Sequence, residues 1–256
     1  MTYFGFLLRF LFIPILILFI LTWRHNNKSF WVAVLINVFL AVAYTTPWDN
    51  YLVATRVWSY DPKLVSGIVF GYVPLEEYTF FLLQTLFVGL WWKIVSRRII
   101  PDRDFKPSQG FRLGSSVIAA LIWLGAAIVF LVHWKQMTYF SILLFWSVPP
   151  MFPQFLFGAD ILWNQRKLLA WSILPMGLYL SFTDSLAIAS GTWTINPAQS
   201  SGIFISKLPL EEAVFFFVTV TMVSFGITLL LSEASSLRWS EIKRTFKQFT
   251  ARMSDI

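Results

Sequence analysis

Long apolar runs separated by short polar clusters set the pattern of this chain. Seven of them lie near residues 3–23, 30–46, 73–95, 115–133, 138–157, 168–189 and 208–231. Each is close to the roughly 20 residues a helix needs to cross a bilayer. The pattern predicts an all-α integral membrane protein of seven transmembrane helices. The first run ends on Trp23-Arg24-His25 instead of a small-residue cleavage site, so it is expected to stay as a helix and not to be removed as a signal peptide. After the last run, Trp239, Ile242, Phe246, Phe249 and Met253 recur at spacings of three and four with basic residues between them. That periodicity predicts an amphipathic helix lying on an anionic lipid surface.

Composition agrees with the pattern. The chain is 57% hydrophobic and 13% charged, against roughly a quarter charged in soluble domains. The net charge of +7 would suit a nucleic-acid partner if it were not so unevenly placed. Fifteen of the twenty Lys and Arg fall in the segments after the first, third and fifth runs and in the tail. Only Arg9, Arg56, Lys63, Lys135 and Lys207 fall on the other side. The positive-inside rule then puts the N-terminus outside and the C-terminus in the cytoplasm, with no nucleic acid involved. There are no cysteines, and His25 and His133 make a poor ligand set, so no metal is expected.

An internal repeat sets the architecture. A shift of 135 residues lays Tyr44 and Asp49 over Tyr179 and Asp184, Trp58 over Trp193, and Pro62 over Pro197. The same frame lays Ser66-Gly67 over Ser201-Gly202 and Pro74-Leu75-Glu76-Glu77 over Pro209-Leu210-Glu211-Glu212, ending on Phe80-Phe81 over Phe215-Phe216. Residues 1–96 are thus expected to form one three-helix repeat and 135–231 the other. Residues 97–134 would supply a loop and a linker helix, and 232–256 the tail. Equivalent points are four helices apart, so the copies enter the membrane in the same direction, as parallel repeats in a 3+1+3 arrangement.

Both Pro-Leu-Glu-Glu segments should therefore lie at one depth, near the non-cytoplasmic face. Proline and glutamate suit a helix start on structural grounds alone. Paired carboxyls at the edge of an apolar span are costly, however, and such residues usually mark a function. Four of them, with Asp49 and Asp184 nearby, cannot all be ionised beside apolar walls. A neutral carboxyl in a dry aromatic cavity is a Brønsted acid, and rings facing it can stabilise a carbocation. Trp58, Trp193, Tyr78, Phe80, Phe81, Phe215 and Phe216 are the candidate rings. The residues point to acid chemistry on a membrane-soluble hydrocarbon.

Several segments resemble the membrane-integral lycopene cyclases. They are Thr46-Pro47-Trp48-Asp49-Asn50-Tyr51, Val73-Pro74-Leu75-Glu76-Glu77-Tyr78 with Gln84-Thr85, Leu156-Phe157-Gly158-Ala159-Asp160, Ser190-Gly191-Thr192-Trp193 and Leu208-Pro209-Leu210-Glu211-Glu212-Ala213. The resemblance covers about residues 3–231, leaving out the tail, and no phytoene synthase domain is expected after it, unlike in the fungal fused proteins. It implies cofactor-free closure of acyclic lycopene ends to β-ionone rings, in the order lycopene, γ-carotene, β-carotene. It implies acid and base roles among Glu76, Glu77, Glu211 and Glu212, with Asp49 and Asp184 as supporting groups or proton relays. Expected partners are the carotenoid within the bilayer, membrane lipid and other enzymes of the same pathway.

Two other classes share the layout. A small-solute transporter can use parallel three-helix repeats, but the third and seventh runs are apolar beyond their first turn. A retinal photoreceptor needs a lysine deep in its last helix, and residues 208–231 contain none. A related enzyme working on a longer carotenoid stays open at this point.

Overall fold

The seven apolar runs fold as seven helices. The computed structural model describes residues 1–99 and 105–254. Within them, α1 (Tyr3–His25), α2 (Lys28–Ala54), α3 (Leu75–Ser96), α4 (Gln109–Leu131), α5 (Thr138–Asn164), α6 (Arg166–Ala189) and α7 (Leu210–Leu231) are long and apolar enough to cross a membrane. An eighth helix, α8 (Glu233–Ser254), follows at once. Arg103 lies outside the described residues, as do the side chains of Phe249, Arg252 and Met253. In α8 the described Trp239, Ile242 and Phe246 are all exposed, which leaves an apolar stripe uncovered by the rest of the protein.

Two helices extend beyond their expected ends. The second apolar run stops at Pro47, yet α2 continues through that proline to Ala54 and carries Asp49 inside it, fully buried. The fifth run stops at Phe157, yet α5 goes on past a non-helical residue, Gly158, to Asn164. Burial explains both extensions. Trp48, Asp49 and Leu52 in one, and Ala159, Asp160 and Ile161 in the other, all face the protein interior.

Packing centres on α3 and α7, which touch each other. α3 packs on α1, α2 and α6, whereas α7 packs on α5, α6 and α2. α4 leans on α5 alone among its stronger neighbours and buries only Ser116, Ala119 and Ala126. Small residues at that seam let the two backbones approach, as in other lipid-embedded helix pairs.

Prolines inside membrane helices need compensation, because each removes the N–H that would bond the carbonyl four residues back. In this bundle four of the freed carbonyls are capped by aromatic side chains from other helices. Tyr179 Oη donates to the carbonyl of Phe10, behind Pro14, at 2.9 Å. Tyr44 Oη does so for Trp146, behind Pro150, at 2.8 Å. Trp123 Nε1 serves Phe145, behind Pro149, at 3.0 Å, and Trp91 Nε1 serves Trp171, behind Pro175, also at 3.0 Å.

The connections after α2 and α6 carry six short strands that the apolar pattern does not announce. β1 (Trp58–Tyr60) pairs antiparallel with β4 (Trp193–Ile195), placing Tyr60 opposite Trp193 and Trp58 opposite Ile195. β2 (Val69–Phe70) and β3 (Val73–Pro74) form a tight hairpin that leads into α3, and β5 (Phe204–Ile205) with β6 (Leu208–Pro209) does the same for α7. The β1–β4 ladder thus joins the two halves of the chain and forms a roof over one end of the bundle.

Candidate active site

The two glutamates of each pair part company at the helix start. Successive residues on a helix point about 100° apart, so one member can face the hairpin while its neighbour faces the bundle. Glu76 accepts the backbone N–H of Ser66 at 2.5 Å and its hydroxyl at 3.1 Å. Glu211 accepts the N–H of Ser201 at 2.6 Å. Gly67 and Gly202, next in sequence, have φ of 82° and 75°, a region that suits glycine and turns each loop back over its glutamate. Glu76 and Glu211 therefore tie the incoming loops to the first turns of α3 and α7.

Glu77 and Glu212 point inward. Glu77 Oε2 accepts from the phenols of Tyr3 and of Tyr60, the latter at 3.1 Å. Glu212 Oε1 accepts from Tyr139 Oη at 2.6 Å. Tyr3 opens α1 and Tyr139 opens α5, so each inward glutamate is held by a tyrosine at the start of another helix. Tyr60 lies in the roof, outside the spanning segments. Burial first, then the Asp49 and Glu77 carboxyls, hold its phenol well above the usual range, so it remains a hydrogen-bond donor at neutral pH.

Glu77 and Glu212 line one small internal chamber together with Asp184. Trp193 Nε1 donates to Asp184 Oδ1 at 2.9 Å, while the buried Oδ2 finds no partner among the described residues. The remaining lining is almost wholly aromatic, with Phe80, Phe215 and Phe216 from below and Trp58, Tyr60 and Trp193 from the roof. Phe215 and Phe216 meet edge to face at 5.1 Å, and Phe80 meets Phe216 at 6.1 Å. Trp193 packs on Tyr3 at 4.8 Å, and Trp58 stands edge-on to Tyr139 at 5.7 Å. The lining has three carboxyls and neither lysine nor arginine.

The other expected residues lie nearby but apart. Asp49 is fully buried, with neither carboxyl oxygen partnered among the described residues, yet it is not on the chamber surface. Tyr78 turns away. Its hydroxyl donates to the Phe70 carbonyl at 2.9 Å and accepts from Asn50 at 3.1 Å, which fastens the β2–β3 hairpin. Phe81 lines a different cavity, lower in the bundle.

Sequence reasoning did not single out Tyr3, Tyr60, Tyr139, Trp48 or Trp146. Tyr3 and Tyr139 are 136 residues apart, one step out of the repeat frame, and Tyr60 has Ile195 as its counterpart. The usable signal was weaker, a tyrosine at the outset of two apolar runs.

The chain is similar in sequence to known proteins. The lycopene cyclase family profile matches residues 2–95 and 136–230. The "lycopene beta-cyclase" of Halobacterium salinarum is 37% identical over 190 residues, covering 74% of this chain and 78% of that protein. The "bifunctional lycopene cyclase/phytoene synthase" of Aspergillus niger is 33% identical over 196 residues, or 73% of this chain and 33% of the fungal one. Its counterpart in Phaeosphaeria nodorum is 34% identical over 206 residues, covering 75% and 34%. No solved structure matches. By profile and by relatives alike, this chain belongs to the lycopene cyclase family.

Proposed function

We infer that the chain closes the acyclic ends of lycopene into β-rings by acid–base catalysis, with Glu77 and Glu212 as the pair that moves the proton. The observation that carries this reading is that both line one aromatic chamber. Glu77 accepts from two phenols and suits the carboxylate role. Glu212 accepts from one, shares the chamber with Asp184 and suits the role of proton donor.

The reaction balances without electrons from outside. Glu212 gives its proton to C2 of the terminal C1=C2 double bond, leaving a tertiary cation at C1. The C5=C6 π pair forms the C1–C6 bond and moves the positive charge to C5. Glu77 then takes the proton from C6, and its C–H pair becomes the ring double bond. Phe215, Phe216, Trp58 and Trp193 present ring faces and edges around the cation and exclude water that would trap it as an alcohol. The proton must pass from Glu77 back to Glu212 before the next turnover, and Asp184, which lines the same chamber, is the natural relay. Glu76 and Glu211 hold the loops that close the site, and Asp49 backs the chamber.

The same reading takes the bundle as two parallel three-helix repeats with α4 as linker. The two profile matches support it, since they start 134 and end 135 residues apart and leave α4 between them. So do the equivalent hairpins before α3 and α7. It also places the roof outside and α8 on the cytoplasmic surface, on the asymmetry of Lys and Arg. Because the chain has no cysteine, Lys63→Cys and Lys243→Cys give single thiols, and an impermeant maleimide on intact cells should label the first alone.

The central test is lycopene turnover by purified protein in liposomes with no redox cofactor added. Wild type should form cyclic product, while Glu77→Gln and Glu212→Gln should insert and purify normally but lose all or nearly all activity. Full activity in either variant, or a strict need for reduced flavin or nicotinamide, overturns the assignment.

A further inference from the structure

The chamber is too small for the substrate it would act on. Its volume is about 20 Å³, room for roughly one water molecule and far less than a six-membered ring with its methyl groups. A second cavity, of about 350 Å³, lies directly beside it between α2, α3, α5 and α7. The two share Phe215 as a lining residue. Along α7 this groove runs from Phe215 to Val223, about 12 Å at 1.5 Å per residue, toward the middle of the bilayer. It is open to lipid on one side, where Leu40 is 54% and Tyr44 41% exposed.

Three of its polar side chains are turned to internal partners, while Gln154, also on its wall, has an Oε1 with no hydrogen-bond partner among the described residues. Gln84 Nε2 donates to Thr219 Oγ1 at 2.7 Å, Thr85 to the Phe81 carbonyl at 2.8 Å and Asn37 to the Ala33 carbonyl at 2.8 Å. The surface left for an occupant is mostly apolar, which suits a hydrocarbon and not a hydrated solute. Between groove and chamber stands a stack of rings. Trp48 lies on Trp146 at 4.3 Å and 19°, and on Phe215 at 5.7 Å and 8°. Neither indole N–H finds a hydrogen-bond partner among the described residues. Stacking alone holds these rings in place, so they can slide apart without breaking a directed bond, and their faces suit a conjugated chain.

We propose that this groove holds the polyene of the substrate, and that the reacting end reaches the carboxyls by displacing the Trp48–Trp146–Phe215 wall. The proposal rests on the reading of the substrate as lycopene. Ala41, on the groove wall, is the place to fill it. The series Ala41→Val, Ala41→Leu and Ala41→Phe should raise KM for lycopene stepwise, reaching tenfold or more at Phe, while Leu121→Phe on the lipid face of α4 should not change it. Bound lycopene should also acquire a visible circular dichroism band from its chiral surroundings. That band should appear with Glu212→Gln, persist with Glu212→Gln/Leu121→Phe and vanish with Glu212→Gln/Ala41→Phe.

A flat KM across the Ala41 series with an unchanged band overturns the groove and leaves the acid–base reading standing. Loss of the band on adding excess dioleoyl phosphatidylcholine, at fixed lycopene, would assign the groove to an acyl chain and overturn it as well. A Glu212→Gln enzyme that turns over normally, yet responds to Ala41, would overturn the acid and keep the groove. The Val and Leu steps remain readable if the Phe variant fails to fold.

Discussion

Tyr139 Oη donates to Glu212 Oε1 at 2.6 Å from the first turn of a different helix. This contact orients the carboxyl and fixes which of its oxygens is free for the chamber. Tyr139→Phe keeps the ring on Trp58 but removes the phenol, so the Glu212 carboxyl is left to rotate. Loss of such positioning should lower kcat by about 10²-fold. Tyr60→Phe should be milder, about fivefold from one lost hydrogen bond, since Tyr3 still holds Glu77. Steady-state rates on lycopene in liposomes check both, and equal effects would show that the two carboxyls are not held differently.

Glu76 and Glu211 should separate from their neighbours in the same assay. Each tethers a loop, so Glu76→Gln and Glu211→Gln should keep measurable turnover while lowering thermal stability. A charge-assisted bond to a backbone N–H contributes roughly 1.5–3 kcal/mol, and the amide oxygen of Gln recovers part of it. A melting curve in detergent alongside the rate would show this split. Complete loss of turnover at an unchanged melting temperature would place these residues in the chemistry instead.

That distinction could not be read from the chain. Glu76-Glu77 and Glu211-Glu212 are adjacent and identical, and which member faces inward depends on where the hairpin sets the first turn. The seven helices were legible because an apolar run of that length has few other stable fates. Asp49 was legible as chemistry but not as a helical residue, since Pro47 reads as a stop while burial of Trp48 and Leu52 carries α2 onward. Tyr3 and Tyr139 were not legible, because tyrosine at a membrane edge is commonplace and only the fold brings them 74 and 73 residues along the chain to their glutamates.

The proline carbonyls offer a test of the bundle away from the chemistry. Tyr179→Phe leaves the Phe10 carbonyl without its donor in a dry setting. Interhelical hydrogen bonds in lipid contribute about 0.6 kcal/mol on average and rarely above about 1.7, so the variant should lose close to 1 kcal/mol by denaturant titration and keep its kcat. Tyr44→Phe should show the same stability loss at Trp146. Because that ring also faces the groove, its KM should change where that of Tyr179→Phe does not.

The far end of the bundle should respond to charge instead. Arg238 of α8 grips Asp160 through two nitrogens, at 2.8 and 2.7 Å, and Ser108 N adds a third bond to the same carboxyl at 2.9 Å. Removing one member of a buried pair leaves the other short of charge compensation, and Asp160 would keep only Arg112, at 3.9 Å. Arg238→Ala should therefore destabilise the protein by roughly 2–4 kcal/mol and free α8 to early proteolysis. Asp160→Asn/Arg238→Gln should be less damaging than Arg238→Ala, because no buried charge is left alone. Limited trypsinolysis of the three proteins, followed by mass, reads the order directly.

The final expectation concerns a substrate with two ends. Glu77, Glu212 and Asp184 line a single chamber at one end of the bundle, and the adjoining groove leads from it toward the bilayer centre. Lycopene is comparable in length to the roughly 30 Å hydrocarbon core, so a chain lying along that path has its far end near the opposite face, where no matching pair of glutamates is found among the described residues. One end reacts per visit. The half-closed molecule must then leave and return reversed before the second ring can form. At limiting enzyme, monocyclic γ-carotene should rise first and β-carotene should follow after a lag. Glu77→Asp, which draws the carboxyl back by one methylene, should slow both closures and lengthen the lag. Diluting the proteoliposomes with empty vesicles after the first turnover should carry monocyclic product away and raise its final share. Bicyclic product that rises from time zero, with no free monocyclic species under either condition, would mean that both ends are closed in one visit and would sink the single-chamber scheme.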